Sequence, residues 1–292
     1  MLYDIRMEIA YTYQSPAGSG RQLLRLMPAD LPDLQRLIAG SLTIEPEPSE
    51  RLFRQDFFGN QTVEVALAGP LHASRFAVSA RVERQVAGRL LDMSPDLDGL
   101  ARDLAGLATL SLDSPHHFLG NSPRIVLHPE MSAYARRATS GAGTVCEAVR
   151  RLGQAIHADF TFDAEATDVD TPAIAAFERR KGVCQDFTHI MISCLRGIGI
   201  PAGYVSGFLR TVPPVGQPRL EGADAMHAWV RAWCGPEMGW IEYDPTNALE
   251  IGGDHVVIAR GRDYSDVAPV RGVLRLSGEQ RTGQKVDVIP IG

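Results

Sequence analysis

Through the first part of the chain apolar and polar residues alternate in short runs, the period of two that sends successive side chains to opposite faces of a strand. "YDIRMEIAYTY" (residues 3–13), "RQLLRLMP" (21–28), "TVEVALA" (62–68) and "RFAVSARVERQV" (75–86) read as strands, punctuated by a Ser-Pro-Ala-Gly-Ser-Gly turn and by Gly59 and Asn60. From about Pro95 the period becomes helical. "DLDGLARDLAGLA" (96–108) and "TVCEAVRRLGQAIHADF" (144–160) read as helices, the second with Val145, Val149, Leu152 and Ile156 on one face and a capping box from Thr144 and Glu147. A third helix opens in "RRKGVCQDFTHIMISCLRGIGIP" (179–201): counted from Phe187, apolar residues recur at Ile190, Met191, Cys194, Leu195 and Ile198, and Gly197, Gly199 and Pro201 stop it. Four strands follow, "AGYVSGFLR", "MHAWVRAWC", "GWIEYD" and "HVVIARG". The pattern predicts an α+β protein: an antiparallel β-sandwich-like domain over residues 1–90, then a second domain over 91–292 with helices packed on an antiparallel sheet.

Composition narrows the partners. A net charge of −6 without a Lys/Arg cluster argues against nucleic acid or an anionic membrane as the main partner. Asp4, Arg6 and Glu8 interrupt the N-terminus where a secretory signal needs an apolar core, so the expected location is the cytoplasm, and no stretch reads as a membrane span. Four widely spaced cysteines, Cys146, Cys184, Cys194 and Cys234, read as reduced thiols, and no CxxC pair suggests zinc. The adjacent His116 and His117 lack a further ligand at metal spacing.

Cys184 lies at the front of its helix, where unpaired N–H groups and the dipole favour a negative charge; that suits a thiolate nucleophile. The others read as small core residues. A nucleophilic thiol needs a base and a group to orient it. The period of two puts His227, Trp229, Arg231 and Trp233 on one face of their strand, and Trp240, Glu242 and Asp244 on one face of the next. If Cys234 and Gly239 pair across the "GPEM" turn, Trp229 lies opposite Asp244 and His227 is its diagonal neighbour, within reach of an imidazole and a carboxylate. His189 lies five residues after Cys184, about 140° around the helix, and reads as structural. Asp186 suits the helix dipole, Asn247 reads as a turn residue, the tryptophans read as core or cleft wall, and Tyr264 and Asp266 receive no role.

"GVCQDF", "MHAWVRAW" and "GWIEYDPTN", in this order and at these separations, resemble the transglutaminase-like superfamily, in particular a bacterial branch with an additional β-rich N-terminal region. The specific motifs lie in residues 155–250, and "DHVVIARGRDYSDVAPVRG" also resembles that branch. The resemblance implies a compact papain-like core and a Cys-His-Asp triad at Cys184, His227 and Asp244, with no cofactor or metal. It also implies amide chemistry on a peptide or protein through a thioester. Release by water, as in a peptidase or amidase, is preferred because water is always present while an amine needs its own site. Transfer to an amine, as in a transglutaminase, is the alternative, and a peptide-binding module without turnover is a third reading.

Overall fold

The structure is a computed structural model and describes residues 1–85, 91–211, 222 and 224–291. The alternating N-terminal runs form β1 (Leu2–Ala17), β2 (Gly20–Leu24), β3 (Gln35–Glu45), β4 (Glu50–Gln55), β5 (Gln61–Leu67) and β6 (Leu71–Arg84). In β1, Tyr3, Ile5, Met7 and Ile9 point inward and are buried, as the period of two requires. Val86, the last residue of the fourth predicted run, lies outside the described residues, as do residues 86–90, where the domain boundary was placed.

Five α-helices and a 3₁₀ turn at Pro115–Phe118 come next: α1 (Leu97–Gly106), α2 (Pro129–Ala138), α3 (Val145–Asp159), α4 (Ala173–Arg179) and α5 (Cys184–Arg196). Two short strands, β7 (Thr161–Phe162) and β8 (Lys181–Gly182), pair in parallel around α4. The cap of α3 differs in one detail from the expected box. Thr144 Oγ1 accepts from Glu147 N at 3.2 Å, but the Glu147 carboxylate reaches one residue further back, accepting from Gly143 N at 2.8 Å.

The remaining elements are β9 (Ala202–Leu209), β10 (Ala225–Trp233), β11 (Trp240–Asp244), β12 (Leu249–Glu250), β13 (His255–Gly261), α6 (Tyr264–Val267), β14 (Val270–Leu274) and β15 (Gln280–Ile291). Strands β9 to β13 make an antiparallel sheet in the order β12-β11-β10-β9-β13, and α5 packs on β9 and β10. The chain then returns to its beginning: β15 pairs with β1 and β14 with β2, giving two four-stranded sheets in the orders β15-β1-β6-β3 and β14-β2-β5-β4. Residues 91–292 were read as one unit, yet the last two strands hydrogen-bond into the N-terminal sheets. Among the described residues no helix is long and apolar enough to cross a membrane.

The helical layer meets the sheet closely at Gly153 of α3. A Cβ there would lie 2.0 Å from a ring carbon of Tyr243 on β11, so only glycine allows this approach. Alanine is the better helix former by about 1 kcal/mol, but overpacking costs about 1–3 kcal/mol, and a clash with a rigid buried ring lies at the upper end. We therefore expect Gly153→Ala to lower stability by about 1–2 kcal/mol, read as a lower urea midpoint with an unchanged slope. A stabilised variant would show that the contact yields.

Candidate functional site

Helix α5 is started by a polar clamp. Asp186, in its first turn, accepts from the backbone N–H of Val183 at 2.8 Å and from Thr167 Oγ1 at 2.6 Å, which fixes the entry of the chain. Cys184 is the first residue of the helix and is half-buried, whereas Cys146, Cys194 and Cys234 are buried; all four are free thiols. His189 is buried on the same helix, with Nε2 accepting from the backbone N–H of Tyr264 at 3.3 Å, and burial pushes its pKa down to about 4. It is a neutral structural acceptor, as its angular position from Cys184 suggested.

The hairpin of β10 and β11 has the register expected from the sequence: Trp233 pairs with Trp240, Arg231 with Glu242 and Val230 with Tyr243, and Cys234 N–H donates to Gly239 O at 2.8 Å. The diagonal approach of His227 and Asp244 closes to a hydrogen bond of 2.7 Å between Nε2 and Oδ2. That bond takes Nε2 and leaves Nδ1, and Cys184 lies near enough to His227 to help raise its pKa. Cys184, His227 and Asp244 are thus brought together from one helix and two strands.

The environment decides the charges. Burial works against an imidazolium at His227, but the bond to Asp244 and its negative charge, with Cys184 beside the ring, outweigh it, raising the pKa to about 10. Burial likewise works against the carboxylate of Asp244; hydrogen bonds from His227, His255 and Asn247 overcome it and hold the group well below the usual carboxylate range. The site therefore holds an ionised carboxylate and an imidazole that stays protonated through neutral pH.

Two residues here escaped the sequence reading. Asn247 is more than a turn residue: its Nδ2 donates to Asp244 Oδ2 at 2.7 Å and lies 3.5 Å from His227 Nε2, while its backbone N–H and that of Thr246 donate to Oδ1 at 3.1 and 2.8 Å. His255 of β13 is buried, with Nε2 3.3 Å from Asp244 Oδ2, and its Nδ1 has no partner. Since an ionised carboxylate only accepts, His255 carries its proton on Nε2. The Asp-Pro-Thr-Asn run hinted at an Asx-type turn around Asp244; nothing in the pattern of β13 pointed to His255. His227, Asp244 and His255 also form a group of metal-ligand type, their ligand atoms all within 4.8 Å of one another. In the structure these atoms are joined by the hydrogen bonds just described.

The tryptophans line this face. Trp229 is fully buried and donates from Nε1 to Glu242 Oε2 at 2.7 Å, with its ring edge-on to His255 at 5.2 Å; Trp240 carries the Arg231 guanidinium 3.9 Å from its centroid. Asp266 is engaged by Arg262, and Tyr264 packs on Tyr204. His116 and His117 bond backbone carbonyls.

Two measurements follow from the charges and the burial. Iodoacetamide at neutral pH should label Cys184 in the native protein and leave Cys146, Cys194 and Cys234 unmodified until the fold is opened; His227→Ala should slow that labelling by removing the cation beside the thiol. Equal labelling of all four native cysteines would contradict the arrangement. The second concerns stability. A folded pKa raised above 6.5 means that protonation of His227 favours the folded state, so its contribution is complete below about pH 6.5 and fades as the pH rises toward 10. The stability difference between wild type and His227→Ala, measured by urea unfolding, should shrink between pH 6 and pH 10; a difference that grew would reverse the sign of the shift.

Comparison with known proteins places this geometry in a family. The bacterial transglutaminase-like N-terminal region matches residues 3–83, and the transglutaminase-like superfamily core matches residues 132–245. An uncharacterized protein of Mycobacterium tuberculosis is 33% identical over 270 residues, which is 88% of this chain and 82% of the relative. Another from Mycobacterium leprae is 29% identical over 267 residues, 90% of this chain and 89% of its own. Among solved structures, a candidate cysteine protease of Cytophaga hutchinsonii superposes with a TM-score of 0.75 at 20% identity, covering 100% of this chain and 92% of that one; likeness at this identity speaks for the fold. With the N-terminal region and the core matched in order, and a relative of this identity along most of its length, the chain belongs to the transglutaminase-like superfamily.

Proposed function

We propose that this protein is a cysteine-dependent hydrolase of amide bonds in peptides or proteins, with Cys184 as nucleophile, His227 as acid and base, and Asp244 as the group that orients the imidazole. The observation that carries the reading is the 2.7 Å hydrogen bond that holds the His227 ring on the buried, ionised Asp244, with Cys184 beside it at the start of α5. In the first half-reaction the sulfur attacks the carbonyl carbon, the carbon–nitrogen bond breaks, and the departing amine takes the proton of the imidazolium. In the second, His227 takes a proton from water as the water oxygen attacks the thioester; the carbon–sulfur bond breaks, the carboxylic acid leaves, and the sulfur and the imidazolium return to their starting state. Backbone N–H groups at the start of α5, where Cys184 sits, are the natural donors to the developing oxyanion.

The positive charge on His227 suits the first step, because amine departure needs a proton donor at neutral pH. Asp244 stays ionised throughout and fixes the ring. Release of the thioester by an amine is the competing outcome, and the same products distinguish it. Incubation with a mixed peptide pool and a labelled primary amine, read by mass spectrometry, is expected to give new peptide termini or Gln-to-Glu conversion. Label in the products would reassign the protein to acyl transfer, and no reaction of any kind would leave a binding cleft.

Substitution separates the roles. Cys184→Ala and His227→Ala should each abolish turnover in a protein that still folds, Asp244→Asn should retain a small fraction, and Cys194→Ala should remain active. Asn247→Ala removes one donor from Asp244 and should cost about tenfold in kcat with KM little changed, the effect of about one charged hydrogen bond. Turnover by a folded Cys184→Ala protein would end the covalent mechanism, and a full rate in Asn247→Ala would show that the remaining donors hold the carboxylate.

A further inference from the structure

A second cavity, sharing no lining residue with the Cys184, His227 and Asp244 group, opens where the N-terminal sheets meet the segment around α6. Its volume is about 490 Å³, within the range of small-molecule sites. Three guanidiniums line it, Arg25 from the end of β2, Arg262 before α6 and Arg271 of β14. Phe57, Phe58 and His117 supply rings: Phe57 stands edge-on to Phe58 at 5.0 Å and to His117 at 5.1 Å, and the Arg262 guanidinium lies 5.8 Å from the Phe58 centroid.

Two carboxylates also line the cavity, but both are saturated within the protein. Asp56 accepts from Arg25 Nε at 3.0 Å, from the backbone N–H groups of Phe58 and Asn60 and from Asn60 Nδ2. Asp266 is held by the backbone N–H, Nε and Nη2 of Arg262 at 3.0, 2.8 and 3.1 Å. The cations are not saturated in return. Arg25 is buried, yet its Nη1 has no partner. Arg271 makes one long bond of 3.4 Å to the Ser265 carbonyl. Three guanidiniums against two committed carboxylates leave one positive charge over, beside an unpartnered buried N–H donor and aromatic faces.

From this we propose that the cavity binds a small organic anion, a carboxylate or phosphate group carried on an aromatic body. The forked guanidinium matches the planar oxyanion, and a ring on the ligand packs against the open side of Phe57, which is 59% exposed.

Isothermal titration of the full chain with benzoate, phenyl phosphate, inorganic phosphate and neutral benzyl alcohol separates the contributions. The two aromatic anions should saturate one site; inorganic phosphate should bind at least tenfold more weakly, and benzyl alcohol not measurably. Which aromatic anion binds more tightly identifies the headgroup. Arg271→Ala and Phe57→Ala, both at exposed positions that leave the core intact, should each weaken the better ligand by about tenfold, and Cys184→Ala should bind it as wild type does. Absence of saturable binding by either aromatic anion, equal binding of benzyl alcohol, affinity unchanged in Arg271→Ala and Phe57→Ala, or loss of binding in Cys184→Ala would overturn the assignment.

Discussion

A carboxylate sealed from water is stable only when donors fill its lone pairs, and Asp244, with 0% exposure, imposes that condition on everything around it. Five hydrogen bonds meet it. Oδ2 receives His227 from β10, His255 from β13 and the Asn247 side chain; Oδ1 receives the backbone N–H groups of Thr246 and Asn247. The register of the hairpin, the turn after Pro245 and the placement of β13 are each needed to deliver one of these donors. A slip of one residue between β10 and β11 would put His227 and Asp244 on opposite faces.

The same condition extends across the face of the sheet. Beside the His227–Asp244 pair lie Arg231, Glu242 and Arg260, with Glu242 taking hydrogen bonds from Trp229 and Arg260. Such a face cannot be closed by an apolar layer, and β13 at the sheet's edge leaves backbone groups unpaired. The N-terminal sandwich meets both needs with side chains that imitate a neighbouring strand. Gln35 donates to Val257 O and accepts from Val257 N at 2.8 Å each, and Asn60 does the same for Arg260 at 2.7 and 2.8 Å. Arg84 caps the His255 carbonyl at 2.6 Å. A β-rich region with no concentration of reactive residues thus contributes to the site by covering and pairing the strand that holds His255.

How much of this was legible depended on whether the determinant was local. Alternation announced β1, β5, β6 and the central strands, and helical spacing announced α1, α3 and α5, because in each one face is buried and the other is not. Strand β3 gave no such signal: it is an outer strand, and most of "QRLIAGSLTIE" is exposed. The short α2 and α4 lacked a long periodic stretch, and the return of β14 and β15 to the N-terminal sheets is a pairing across almost the whole chain that no local pattern encodes. The hairpin made Cys184, His227 and Asp244 readable as a set, since a turn length fixes a register. His255 was silent because its role arises from β13 pairing with β9, on the far side of the sheet from β11.

Two histidines show which force sets the charge at this site. His189 and His227 are both buried, and burial alone disfavours the imidazolium in each. At His189 the charge of Asp263 opposes desolvation, but no hydrogen bond joins the two side chains, the charges of Arg124 and Arg196 act with desolvation, and the pKa falls to about 4. At His227 a carboxylate lies 2.7 Å from Nε2 with Cys184 beside the ring, and desolvation loses, leaving the pKa at about 10. Direct hydrogen bonding therefore separates an inert core imidazole from one that can hold a proton for a leaving group. The sequence places one on the core side of α5 and the other on the strand face that carries Asp244, so the distinction between scaffold and chemistry is already made by the two periodicities, 3.6 along the helix and 2 along the strand.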